Sequence, residues 1–337
     1  QRFGMQWNDD RRKYSFGQHQ LLPQALRAAG YVTGHIGKWN IPVDAKECFD
    51  EIYDLIDWEA DYFPDASGHY YGVDSETEFA SSKRQGVWGP ERPGEEYLTD
   101  RIGRHAVEFV EKHQRGGKPF FLYLAFNAVH TPLHAKKEDA DRFGKLPIPL
   151  NFYAAMVASM DENLGRVLAA LPANTLVAFT SDNGPARMPV EKWPEGWPQG
   201  TLNGSAGPLN GHKGQFLDGG FREPYLLRWP GKLAAGSLYR QPVSTMDLYP
   251  TFCAAAGAPV PAGTRLDGVN LLPFLTGEQT GAPHEILFWK NGENGAVREG
   301  DWKLLLSPWQ PKRQLFNLAD DIGEKRDLAA DQPELVE

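Results

Sequence analysis

The strongest constraint on the fold is a short unbroken apolar run, PFFLYLAF at 119–126, set between a helix-period segment and polar residues. A strand of that composition has no polar face to turn to water. It predicts a strand covered on both sides, as in a parallel sheet with helices on its faces. TLVAFT at 175–180 predicts a second buried strand, 31–36 a third that ends at Gly37-Lys38, and 224–229 a fourth. Helical periods lie between them. Leu21, Leu22, Ala25, Leu26 and Ala29 share one helical face, and Gly30 suits the stop. Leu98, Ile102, Ala106, Phe109 and Val110 mark a helix that stops near Gly116-Gly117. Phe152, Ala155, Met156, Met160, Leu164, Val167 and Leu171 mark a long one ended by Pro172, and 243–256 reads as another. This alternation predicts an α/β fold, a mostly parallel sheet sandwiched by helices.

After about residue 283 the pattern changes. Short strands at 285–290, 295–298, 302–306 and 314–317 are separated by Asn, Gly, Asp and Pro turns, which predicts a small antiparallel subdomain of hairpins. The expected division is therefore 1–283, an α/β domain, and 284–337, the hairpin subdomain. Residues 43–93 are rich in aromatics, Gly, Pro and acids and read as a long loop or insertion. Trp58, Tyr62, Phe63, Tyr70, Tyr71 and Trp88 within it suit stacking on sugar or aryl rings, and equally a local apolar cluster.

Several function classes are excluded early. A net charge of −9 argues against a nucleic-acid binder, which shows a basic surface. No apolar run approaches the ~20 residues of a membrane-spanning helix. Two cysteines, Cys48 and Cys253, cannot build a disulfide framework or a multi-cysteine zinc site; they allow one bridge between them, and two free thiols are the favoured reading. The chain opens on Gln1 with no initiator Met and no apolar signal segment, which reads as a processed product, a fragment or the ordered part of something longer.

In sheets of this kind ligands sit beyond the carboxyl ends of the strands. The strand at 31–36 is followed by Gly37, Lys38, Trp39 and Asn40, and that at 119–126 by Asn127, His130, Thr131 and Pro132. The strand at 175–180 is followed by Ser181, Asp182, Asn183 and Gly184. Taken singly, these are a solvated lysine, a capping histidine and an ordinary turn. Together they predict Lys, His and an Asp-Asn pair at one sheet edge. Carboxylate and amide oxygens suit a hard cation, Ca2+ or Mg2+, better than zinc. A lysine and a histidine around such a cation suit an anionic sulfate or phosphate ester. A further glycine-rich stretch, 209–214 and 219–224, presents Lys213 as a point charge of the kind used on tetrahedral anions. It lacks the spacing of a P-loop, so a nucleoside-triphosphate cradle is not indicated.

These residues carry a resemblance. GYVTGHIGKW at 30–39, NAVHTP at 127–132, FTSDNG at 179–184, and GHKG at 211–214 with GGFREP at 219–224 are similar, in order, to motifs of the type I, formylglycine-dependent sulfatases of the alkaline-phosphatase-like superfamily. MDLYPT at 246–251, LDGV at 266–269 and GDWKL at 300–304 fit the same family's C-terminal half, so the likeness runs from end to end. It implies a sulfuric ester hydrolase acting on carbohydrate or aryl sulfates. Asp182 and Asn183 would be metal ligands, usually of Ca2+. Lys38, His130 and Lys213 would contact the sulfate or the leaving-group oxygen. In that family an aldehyde hydrate made from Cys or Ser attacks sulfur and is released by hemiacetal breakdown.

Two departures matter. The family's Cys/Ser-x-Pro/Ala-x-Arg motif is absent: Cys48 is followed by Phe-Asp-Glu-Ile and Cys253 by Ala-Ala-Ala-Gly. Gln1-Arg2-Phe3-Gly4 resembles the segment just downstream of that motif, so the chain is expected to begin immediately after the nucleophile and the paired N-terminal Asp ligands. Two protein ligands are too few for the roughly 6–8 oxygens Ca2+ prefers, so weak binding or none is expected of this chain alone. By the same argument the chain is not expected to turn over sulfate esters by the aldehyde-hydrate route. Asn40 stands where the family often has His, and it does not titrate near neutrality. The alternatives are a truncated relative with phosphodiesterase or promiscuous ester hydrolase activity, or a non-catalytic anion- or metal-binding protein. The resemblance also implies a periplasmic or secreted location, a small-molecule or carbohydrate sulfate ester as the partner, and leaves room for a homo-oligomer.

Overall fold

Gly30, at φ 90°, ends the first helix and turns the chain directly into the first strand. A computed structural model describes residues 19–41, 43–56, 61–63, 87–88 (backbone), 96–187, 204–308 and 313–337. The chain divides into two compact units, residues 15–172 in one and residues 173–187 and 204–337 in the other.

In the first unit, helix α1 (Leu22–Ala28) opens with the Leu21 N–H donating to Gln24 Oε1 at 2.9 Å and buries Pro23, Ala25 and Leu26. Strands β1 (Val32–Lys38), β2 (Glu51–Ile56) and β4 (Phe120–Ala125) form a parallel sheet in the order β2-β1-β4. Strand β3 (Val87–Trp88) pairs in parallel with β5 (His134–Ala135). Helix α2 (Leu98–Gly116) and helix α4 (Leu150–Ala170), with α3 (Lys137–Arg142) between them in sequence, supply the main core. Ile36, Ile102, Phe109, Phe152 and Met156 pack there against Phe120, Leu122 and Leu124. Gly34 is what lets the Phe109 ring lie on β1, since a Cβ there would sit 2.4 Å from Phe109 Cε2. On the opposite face Ala45, Cys48 and Phe49 pack with Leu21, Trp39, Val43, Ile52 and Phe121.

Two expectations are corrected in this unit. Among the described residues strand β4 is not fully covered on both sides: Tyr123 is 45% exposed. Alternate residues face opposite ways, and the odd-numbered face is closed over Phe121 but not over Tyr123. Residues 51–56, expected to be loop, form β2. Its acids hide the strand pattern because both are used internally. Glu51 takes Lys112 at 2.7 Å and His113 at 3.1 Å, and Asp54 takes His105 and Arg101. Tyr62 and Phe63 belong to the main core, so neither is available to stack on a ring. Trp58, Tyr70, Tyr71 and the Trp88 side chain lie outside the described residues.

In the second unit, β6 (Val177–Thr180) pairs antiparallel with β7 (Tyr225–Arg228). The buried parallel strand expected here is thus an antiparallel one, with Phe179 37% exposed. Helices α5 (Leu248–Ala256) and α6 (Leu272–Thr276) follow. The expected antiparallel sheet is present as β8 (Ile286–Asn291), β9 (Asn294–Glu299), β10 (Trp302–Leu306) and β11 (Arg313–Asn317), in the order β11-β10-β9-β8. Ala296, Leu305, Phe316 and Leu318 form its core with Phe216, Leu217 and Trp289. Cys48 and Cys253 are buried free thiols. Among the described residues no helix is long and apolar enough to cross a membrane.

Candidate active-site loops

In the first unit, Lys38 is aimed by its neighbours. Gly37 has φ 101°, and a Cβ on it would lie 2.1 Å from the Ala125 carbonyl oxygen, so only glycine passes here. Opposite it β2 bulges: Ile36 pairs with Tyr53 but Lys38 with Ile56. Asp54 on the bulge has φ 47°, a left-handed conformation, and is held by His105 Nδ1 at 2.5 Å and Arg101 at 3.9 Å. The Trp39 N–H donates to the Ile56 carbonyl and Trp39 Nε1 to the Val43 carbonyl, each at 2.7 Å. Beneath them His35 Nε2 lies 3.0 Å from the Gly37 carbonyl, which only accepts, so the ring proton is on Nε2. Its ring packs on Trp39, Phe49 and Tyr123. Burial lowers its pKa to about 4 against a smaller raising effect of backbone hydrogen bonds, and the ring is neutral at neutral pH.

His130 leaves the same edge, because β1 and β4 run in parallel with Gly37 beside Ala125. The buried Tyr62 hydroxyl shares its proton between the carbonyls of Asn127 at 2.8 Å and His130 at 2.9 Å. The His130 N–H closes the turn on the Asn127 carbonyl at 2.7 Å. His130 Nδ1 donates to the Thr131 carbonyl at 2.8 Å, which makes Nε2 the acceptor nitrogen of the neutral ring.

In the second unit, Asp182 and Asn183 follow β6, and their turn is tied to the Lys213 loop through backbone. The Gly184 N–H donates to the Gly220 carbonyl and the Lys213 N–H to the Pro185 carbonyl, each at 3.0 Å. The Gly219 N–H donates to the Asn210 carbonyl at 2.6 Å. Contacts are too close for any side chain: a Cβ on Gly184 would meet the Gly219 oxygen at 1.9 Å, and one on Gly220 the Gln215 oxygen at 2.3 Å. Asn183 Nδ2 donates to the Gly184 carbonyl at 3.0 Å, which turns Oδ1 the other way. His212 Nδ1 donates to the Lys213 carbonyl at 3.0 Å. Burial, and then the Asp182 charge, raise the Glu223 carboxyl above its usual range. Among the described residues no three His, Cys, Asp or Glu side chains gather as a metal site.

Of the residues expected at the site, Lys38 and His130 therefore share one sheet edge in the first unit. Asp182, Asn183 and Lys213 share one hydrogen-bonded frame in the second. Sequence reasoning gave no role to His35 in the first unit or to Asp218, Lys303 and Glu324 in the second, and it read Tyr62 only as a stacking or apolar-cluster residue. For Lys303 a signal existed. In WKLLL the alternation of β10 puts it on the face of Leu305, and both are buried.

Comparisons with known proteins point to one family. A family model described as Sulfatase matches residues 1–258. The chain is 31% identical over 329 residues to N-acetylgalactosamine-6-sulfatase of Canis lupus familiaris, covering 90% of this chain and 58% of that protein. It is 31% identical over 318 residues to the uncharacterized sulfatase YdeN of Escherichia coli (strain K12), covering 86% of this chain and 52% of that protein. It thus spans a little over half the length of these relatives. Among solved structures it is similar to Ps i-CgsB, with a TM-score of 0.75, 33% identity, and coverage of 99% of this chain and 74% of that chain. A complex of Ps i-CgsB with k-i-k-neocarrahexaose matches at a TM-score of 0.74 over the same shares of the two chains. The chain belongs to the sulfatase family.

Proposed function

We propose that the protein hydrolyses sulfuric esters and that its substrates are sulfated carbohydrates. One observation carries the reading: the Asp182-Asn183 turn and the Lys213 loop are hydrogen-bonded to each other, so oxygen ligands and an ammonium are carried on one rigid frame. Such a frame suits a tetrahedral anion, whose negative oxygens need fixed positive partners. The carbohydrate class is supported by the relatives, one an N-acetylgalactosamine-6-sulfatase and one solved with k-i-k-neocarrahexaose.

The donor set fits a hard cation of the Ca2+ kind, with the Asp182 carboxylate and Asn183 Oδ1 as its ligands in this chain. When bound, that cation supplies Lewis-acid polarisation of a sulfate oxygen. The chain's own side chains do the rest. On the frame of the second unit the Lys213 ammonium binds an oxygen of the ester and neutralises charge as it develops, and the family resemblance alone assigns Lys38 a contact of the same kind. His130, with Nδ1 committed to the Thr131 carbonyl, has the chemistry to hold or give a proton at Nε2, the role that the family resemblance implies for it. Asn40 orients by hydrogen bonding and moves no proton.

The test is release of inorganic sulfate from sulfated N-acetylgalactosamine, k-i-k-neocarrahexaose and an aryl sulfate, beside an aryl phosphate and a carboxylic ester. Both the 337-residue chain and a longer form carrying a Cys/Ser-x-Pro/Ala-x-Arg segment are assayed. Sulfate release by the longer form that falls on Lys213→Ala or His130→Ala supports the reading. Preference for the phosphate or carboxylic ester, or inactivity of both forms, refutes it.

A further inference from the structure

We propose that the buried ionic triad of Lys303, Asp218 and Glu324 positions the loops that carry Asp182, Asn183 and Lys213. The β8–β11 sheet is then a working support of the site. The inference rests on the preceding reading only for what those loops bind.

Lys303, Asp218 and Glu324 are 0%, 2% and 3% exposed. Lys303 Nζ lies 2.6 Å from Asp218 Oδ1 and 2.7 Å from Glu324 Oε1, and it sits 4.7 Å from the centre of the Phe221 ring. Around it the sheet core is apolar, with Leu305 and Phe316 packing against Phe216 and Leu217. Burying three charges costs solvation that a well-packed apolar trio would avoid, so stability alone does not call for them. Their geometry does something an apolar trio cannot. Apart from the Lys303–Glu324 pair itself, the polar contacts of the triad converge on Asp218. Its carboxylate is held by Lys303 on one oxygen and by Arg222 at 3.1 Å on the other. Its backbone N–H donates to Glu324 Oε2 at 2.6 Å. Side chain and main chain of one residue are both fixed.

Asp218 begins the helical turn Asp218–Phe221, whose glycines make the close contacts with the site loops. Gly219 holds the Asn210 carbonyl, and Gly220 accepts from Gly184, the residue after Asn183. Those contacts have no slack, because even a methyl group at Gly184, Gly219 or Gly220 would overlap backbone oxygen. A displacement of Asp218 is therefore handed on to Gly184 and to the Lys213 loop. Glu324 reaches its place in a left-handed conformation, φ 49°, which is strained for a residue with a side chain. The loop that forces it is itself clamped. Asp321 accepts from the Glu324 N–H at 3.1 Å through its carbonyl, and from the Lys325 and Arg326 N–H groups at 2.6 and 2.7 Å through Oδ2.

The experiment is amide hydrogen exchange on the chain, wild type against Glu324→Gln, an isosteric change that removes one charge. Exchange at Gly184, Lys213, Gly219 and Gly220 should rise on the order of 100-fold, with β6, β7 and α5 unchanged. Thr251→Val serves as the control in the same unit, since it removes the acceptor of the Leu271 N–H elsewhere. It should leave the four site amides unchanged. An unchanged Glu324→Gln pattern, a uniform rise across the unit, or the same loop response in Thr251→Val overturns the proposal. Should Glu324→Gln fail to fold, the wild type decides. The amides of Asp218, Gly184, Lys213, Gly219 and Gly220 should open together with one common urea dependence, and separate openings overturn the idea. In a sulfate-release assay of the longer form, Glu324→Gln should lower kcat more than it raises KM. A wild type that releases no sulfate defeats the functional reading, while the exchange result still decides the positioning role.

Discussion

Acidification should loosen the strand that aims Lys38, through His35. In the fold this ring is fully buried and its pKa falls to about 4 from the ordinary 6.5. The folded value lies below the unfolded one, so the unfolded chain takes up the proton first. The stabilisation is complete above pH 6.5 and is lost as pH falls toward 4. At about 1.4 kcal/mol per pH unit, the loss reaches about 2 kcal/mol at pH 5 and about 3 kcal/mol at pH 4. Carboxylates titrate in the same range, so the wild type is compared with His35→Phe, which keeps an aromatic ring against Trp39 and Tyr123 but has no proton to gain. Near pH 7.5 the variant should be less stable by about 1 kcal/mol, for the lost hydrogen bond to the Gly37 carbonyl. As pH falls to 5 the wild type should lose about 2 kcal/mol more than the variant does. Urea melts followed by tryptophan fluorescence give the difference, and imidazole NMR gives the titration directly. A wild-type-minus-variant difference that is flat with pH, or a His35 ring titrating near 6.5, would refute the reasoning.

Four other outcomes are expected. Gly37→Ala forces a methyl group onto the Ala125 oxygen at φ 101° and should cost about 2–4 kcal/mol in a thermal melt. Gly184→Ala, with its Cβ 1.9 Å from the Gly219 oxygen, should abolish any rise in Tm that added Ca2+ gives the wild type; an undiminished rise would place the cation elsewhere. Lys213→Ala should slow sulfate release by the longer form by about 100- to 1,000-fold, measured as kcat/KM. Phe109→Ala empties the ring's place over Gly34 and should lower stability by about 3–5 kcal/mol in urea unfolding.

The regular elements of the fold are legible where one physical signal dominates. Leu98, Ile102, Ala106 and Phe109 form the buried stripe of α2 because nothing on that face competes with the helical period. The hairpin strands are legible because glycines such as Gly292 and Gly300, both at positive φ, punctuate them. Strand β2 is hidden because Glu51 and Asp54 look like loop acids until Lys112 and His105 are brought to them from α2. Tyr62 and Phe63 mislead in the same way, since an aromatic residue in a polar stretch does not announce that it folds back into the main core. At the site, Lys38, His130, Asp182, Asn183 and Lys213 stand out through strand-end placement and motif. Their supports do not. Asp218, Lys303 and Glu324 are far apart in sequence, and only burial reveals that their charges meet.

The pairing of β6 with β7 also sets an order of events during synthesis. Thr180 finds its partner in Tyr225, and Asp182, Asn183 and Lys213 all lie on the chain between the two. Closing such a span costs entropy before any contact repays it, whereas the neighbouring strands of the β8–β11 meander can pair locally. The strands of the parallel sheet end by Ala125 and the helix that completes their core by Ala170, so this unit can form while the ribosome is still making residues further on. The loops around Lys213 have no such head start. Asp218 emerges early but stays without its two charged partners until Lys303 and then Glu324 leave the exit tunnel. Ribosome-bound chains stalled short of Glu324 should therefore have a protease-resistant first unit while the 204–222 segment is still cleaved.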